Sequence, residues 1–171
     1  QVRYPTQAVV VPWTNDTVDA SVTITRNVIE HTDNTRQAVE LTGVSTPRVS
    51  NNEFRDTWIP IAVHNGEIDL TRLAGNTTNG ANRQLDISGH LVADAALPMD
   101  GNLIPAISGN PYFYVNSDVT LTLNPGAVLK SRGGNLHLGG GSSLIGAGTA
   151  ENPAVLTAIT DDTAGGDTNG D

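Results

Sequence analysis

The chain has 171 residues, 37% of them hydrophobic and 16% charged, with a formal net charge of −9 and a sequence pI near 4.6. This length allows one domain with a buried core, no apolar run is long enough to insert into a membrane, and the negative charge repels nucleic acid and anionic membrane surfaces and favours cations. With no cysteine, a disulfide framework, a thiolate metal site and a cysteine nucleophile are all excluded.

Glycine (18), asparagine (16) and threonine (20) make up almost a third of the chain, against two tryptophans, three tyrosines, two phenylalanines and one methionine. Turn and strand formers dominate, and a core has to be assembled from Val, Ile, Leu and Ala. Residues 1–21 read as a partial coil or edge segment. From Val22 a repeat is visible. Ile24, Asn27 and Ile29 recur as Val49, Asn52 and Phe54, each 25 residues on. A second strand register follows as Ala38–Gly43, Ile61–Gly66 and Gln84–Gly89, with Gly43, Gly66 and Gly89 spaced by 23. Ile68–Leu73 reads as a further copy of the first strand. No stretch of helical length keeps helical periodicity, so each unit holds short strands of alternating polarity separated by Gly, Asn, Asp and Pro turns. Residues 22–90 are therefore expected to form β-solenoid coils of about 20–25 residues, with inward alternate side chains filling a narrow aliphatic column.

Residues 91–117, interrupted by Pro98, Pro105, Gly109 and Pro111, read as irregular coils or a junction. Residues 118–160 return to strands at Val119–Leu123, Ala127–Lys130, Leu136–Leu138, Ser143–Gly146 and Pro153–Ile159. Residues 161–171 form an acidic loop that stops as if truncated, and the chain reads as a segment of something longer. The whole is expected to be all-β, with about seven coils rising about 4.8 Å each. Coil ends expose strand edges and apolar rungs, so end-to-end stacking on other copies or neighbouring repeats is expected, by a contact that does not close.

The segments Val22–Gly89, Val119–Lys130 and Gly146–Thr157 resemble the right-handed parallel β-helix repeats of secreted and cell-surface bacterial proteins, the pectate-lyase-like superfamily. Late-type coils precede opening-type coils, as in a tandem array cut out of phase. The resemblance implies a right-handed parallel β-helix, an extracellular or cell-surface location, and a structural or adhesive module with polysaccharide or a host or cell surface as a further partner. The same fold carries polysaccharide lyases and glycoside hydrolases, the alternative reading. For a lyase, Arg26 and Arg72 on equivalent strand positions would supply the base beside Glu67, Asp69 and Asp86. No catalytic residue is assigned, because alternate charged strand residues ordinarily face solvent.

The strongest chemical signal is the acidic loop. Asp167, Asn169 and Asp171 reproduce a D-x-[DN]-G-D spacing in which alternate oxygens converge on a hard cation, and Asp161 and Asp162 extend the shell, so these five residues are the expected calcium ligands. His31, His64, His90 and His137 lack metal-type spacing and read as exposed turn or strand residues. Asn27 and Asn52 read as an amide ladder at one corner. Trp13, Trp58, Tyr112 and Tyr114 are candidate carbohydrate contacts, with Trp58, beside Ile59–Pro60–Ile61, expected to pack on the core instead.

Overall fold

The computed structural model describes residues 2–3, 7–11, 21–32, 35–109 and 112–171. Trp13 and Tyr4 lie outside them. The described chain is all-β, with parallel strands stacked as a β-solenoid of about six turns. In chain order the coils run through β1 (Val2–Arg3) and β2 (Val9–Val11); then β3 (Thr23–Thr25), β4 (Val28–Glu30) and β5 (Gln37–Thr42). β6 (Arg48–Ser50), β7 (Glu53–Arg55) and the long, bent β8 (Ile59–Ile68) follow, and next come a 3-10 turn (Leu70–Leu73), β9 (Thr77–Thr78) and β10 (Gln84–Leu91). The later coils hold β11 (Ala95–Leu97), β12 (Ile104–Ser108) and β13 (Phe113–Val115), then β14 (Thr120–Leu123), β15 (Val128–Arg132) and β16 (Leu136–Leu138), and finally β17 (Ser143–Gly146) and β18 (Val155–Ala158).

The longest sheet stacks β2, β5, β8, β10, β12, β15 and β18, and β13 and β16 continue the far half of β10. Val39 pairs with Ile61 and Ile61 with Leu85, steps of 22 and 24 residues, so one coil of chain separates hydrogen-bonded neighbours. The alternation of the strand then dictates the interior. One inward column runs Val9, Val39, Ile61, Leu85 and Pro105, and Leu129 pairs with Leu156 at its end. Val39, Ile61 and Leu85 are fully buried, as are Phe54 and Phe113, the largest core side chains. Burying one such aliphatic side chain stabilises the fold by roughly 1.5–3 kcal/mol, so the column is the main favourable term.

The corner repeat lies where the sequence places it. Ile24 pairs with Val49 and Ile29 with Phe54. Between them Asn27 donates through its backbone N–H and Nδ2 to Asn52 Oδ1 at 3.0 and 3.1 Å, and Asn52 donates in the same way to Asn76 Oδ1, both at 3.0 Å. The ladder is thus one rung longer than expected. Just before each asparagine the chain turns through positive φ, at Arg26 (59°), Asn51 (57°) and Gly75 (76°).

Four expectations are corrected. Ile68–Leu73 does not form a strand: Asp69 Oδ1 accepts from Thr71 N (3.0 Å) and Thr71 Oγ1 (2.6 Å), a cap that starts the 3-10 turn instead. Gly66 pairs with Gly89 but not with Gly43, because this coil steps by 22 residues on both sides (Thr42 with His64, Ser45 with Glu67) and so sets Gly66 against Val44, whose carbonyl oxygen would lie 2.2 Å from any Cβ there. Residues 91–117 carry β11, β12 and β13 in register rather than an irregular junction. Trp58 is 38% exposed: it sits in the bend just before β8, between the buried Thr57 and Ile59.

Candidate functional site

Among the described residues, several places on the outer surface bring polar or aromatic side chains together, and three of them bear on function. The first is the acidic loop, which folds back from β18 across the outer face of the long sheet. Arg83 N–H donates to Thr168 O at 3.0 Å and Asn82 Nδ2 to Asn169 O at 3.2 Å, so the loop ties the last coil to one three strands earlier in that sheet, with its own Thr168 fully buried. Lys130, the chain's one lysine, is buried under the loop and donates to Asp161 O and Gly166 O, both at 2.9 Å. Arg83 binds the carbonyls of Gly165 and Asp167. Burial pushes the Lys130 ammonium below its usual pKa, and Asp162 and Asp161 pull it partly back.

Of the expected calcium ligands, Asp162, Asp167 and Asp171 converge, each offering an oxygen within 4.8 Å of the others. Asn169 Oδ1 is buried and makes no hydrogen bond. Asp161 is committed elsewhere: Thr157 Oγ1 donates to its Oδ2 at 2.6 Å and Thr163 N–H to its Oδ1 at 3.0 Å, and these bonds hold its carboxyl below the usual carboxylate range. The loop carries four carboxylates, Asp161, Asp162, Asp167 and Asp171, against the two basic side chains bonded to its backbone carbonyls, Lys130 and Arg83, an excess of two negative charges.

The second place is the outer face of β8 and β10. Gln84, Asp86 and Ser88 alternate with the inward Leu85 and Ile87, yet all three are buried. His64 Nε2 lies 3.5 Å from Asp86 Oδ2, and Arg132 donates to Gln84 Oε1. Asp86 Oδ1, Gln84 Nε2 and Ser88 Oγ make no hydrogen bond within the chain. The other residues considered for lyase chemistry do not join this group. Arg26 stacks in the corner column with Asn51 and Gly75, Arg72 and Asp69 belong to the 3-10 turn, and Glu67 sits at the far end of β8, paired with His90. Arg26 and Arg72 are therefore not register equivalents.

The third place was not legible as a group. Glu67, His90, Tyr114 and His137 are successive register partners on the outer face, at sequence steps of 23, 24 and 23. Tyr112 joins them, and the ring centroids lie 5.4 Å (His90–Tyr114), 5.2 Å (Tyr112–His137), 6.1 Å (His90–Tyr112) and 6.4 Å (Tyr114–His137) apart. Asn116 Oδ1 accepts from His90 Nδ1 at 2.9 Å, and Ser45 Oγ donates to Glu67. Two histidines that are dispersed in the sequence thus flank Tyr114 on one outer line, because one coil of chain returns each to it. The signal was present as a recurrence of ring residues at the repeat period.

Comparisons with models of protein families, with curated proteins and with solved structures find no match.

Proposed function

We propose that the chain is a structural module of an extracellular or surface-exposed β-solenoid, whose last coil seats a further coil supplied by another copy, and whose acidic loop is tightened by calcium. The observation that carries this reading is the uncovered rung. Leu156 ends the inward column as a continuation of Leu129, and Leu138 ends the line of Leu91 and Val115, yet these two are 54% and 50% exposed while the residues before them are buried. β16, β17 and β18 are the last strands of their stacks among the described residues, so three unpaired edges surround that apolar rung. An exposed edge beside apolar side chains is a template for another strand. Negative-stain electron microscopy tests the reading: filaments or end-to-end dimers of solenoids are expected, and uniformly single particles at high protein concentration contradict it.

For calcium the support is the convergence of Asp162, Asp167 and Asp171 and the loop's surplus of two negative charges, the charge of one divalent ion. A second reading, a polysaccharide lyase or glycoside hydrolase, is favoured by the buried Asp86, Gln84 and Ser88 with unpartnered atoms on the outer sheet face. Incubation with uronate polymers would then release ultraviolet-absorbing unsaturated products, and incubation with neutral polymers would release reducing ends.

A further inference from the structure

The ring column points to a ligand independently of how the coils assemble. We infer that His90, Tyr112, Tyr114 and His137, with Glu67 and Asn116 at their margin, form a binding strip for a neutral oligosaccharide.

Sugar rings present an apolar C–H face and a rim of hydroxyls, so a receptor needs flat rings to stack on and hydrogen-bonding groups beside them. Both are here. Tyr and His present an apolar body with a polar tip, and the two tyrosines and His90 are half-buried, with His137 more exposed, so ring faces and edges are available from solvent. Parallel register holds the rings at centroid spacings between 5.2 and 6.4 Å along the solenoid axis, set by backbone ladders rather than by side-chain choice. Because the strip is already ordered, a ligand ordering on it costs little protein entropy. Polar groups flank it: the Asn116 amide fixes His90 through Nδ1, which turns Nε2 toward a ligand, and Glu67 supplies a carboxylate for sugar hydroxyls.

Charge selects among ligands. Glu67 is the charged residue in the register line, no Lys or Arg occupies it, and the chain carries −9 overall. A polyuronate or a nucleic acid would be repelled. The alternation of ring and polar group also fits a glycan better than an apolar peptide face, which would want a continuous aliphatic surface.

The test is isothermal titration of the whole chain with neutral hexasaccharides (β-1,4-glucan, β-mannan, xylan, α-glucan), alongside polygalacturonate and zinc chloride as comparators, with tyrosine fluorescence as a second readout. Saturable binding of at least one neutral hexasaccharide is expected, weakened tenfold or more in the Tyr112→Ala/Tyr114→Ala double variant and retained in Tyr112→Phe/Tyr114→Phe, which keeps the rings. The melting midpoint of each variant separates loss of the strip from loss of the fold. If the Ala variant does not fold, His137→Ala, at the exposed end of the strip, replaces it with the same expected weakening. Absence of binding by every neutral hexasaccharide, equal binding by the Ala variant, or binding confined to polygalacturonate or zinc would each overturn the inference.

Discussion

Asn52 and Asn76 are locked together at one corner of the solenoid: the backbone N–H and the side-chain Nδ2 of Asn52 both donate to Asn76 Oδ1 at 3.0 Å. Asn52 is buried and also donates to Ile24 O at 2.9 Å, while its own Oδ1 accepts twice from Asn27. Asn52→Ala therefore strands donors on Asn27 and an acceptor on Ile24 inside the corner. Urea unfolding is expected to show a loss of about 3 kcal/mol, the scale for leaving buried polar groups unpaired. A loss below about 0.5 kcal/mol would mean that the ladder is not a structural element.

Lys130 holds the acidic loop by two carbonyls, and its burial already disfavours the charge. Lys130→Met keeps the stem packed but removes the donors. Because burying that ammonium is itself costly, global stability is expected to change by less than about 1 kcal/mol. Hydrogen exchange in residues 161–171 should accelerate tenfold or more, and unchanged protection there would contradict the role given to Lys130.

The Asp161 carboxyl is held below its ordinary pKa chiefly by the Thr157 hydroxyl, then by Thr163. A carboxylate depressed in the folded state contributes stability that is present above the unfolded pKa of about 4 and is lost as pH falls through the folded value. The melting midpoint is expected to decline as pH is lowered from about 5 to about 2, and Asp161→Asn should flatten that decline. A variant profile parallel to the wild type would remove Asp161 from the acid response.

Calcium is expected to raise the melting midpoint at millimolar concentration, by mass action on the folded state. Asp162→Asn and Asp167→Asn should each abolish the rise, whereas Asp161→Asn should leave most of it, since Thr157 and Thr163 hold that carboxylate. An unchanged midpoint in calcium for the wild type would refute the metal reading.

The corner is legible because its asparagines and flanking apolar residues recur at one spacing, and a shared backbone register demands that recurrence. Other parts were hidden for local reasons. Arg72 looked like a strand residue until the Asp69 cap wound its neighbours into a 3-10 turn. Pro105 lacks the N–H a ladder uses and so reads as a break, yet it occupies a buried rung opposite Leu85. In the acidic loop the spacing of Asp167 and Asp171 was informative, but nothing in it revealed that Asp161 would turn to Thr157. The ring strip is hidden for the opposite reason: its members are close only after each coil is closed, and the local spacing of the histidines carries no trace of the repeat.

The proposed assembly rests on the apolar rung and strand edges of the last coil, which another copy would cover. Sedimentation velocity over a hundredfold concentration range, for the wild type and for Leu156→Lys with Leu138→Lys, tests it most directly. Both side chains are half exposed, so the substitutions are expected to leave the melting midpoint within a few degrees. Concentration-dependent assembly of the wild type and a monomer for the variant are expected; a wild type that stays monomeric throughout, or a variant that assembles equally well, rules out stacking through this rung.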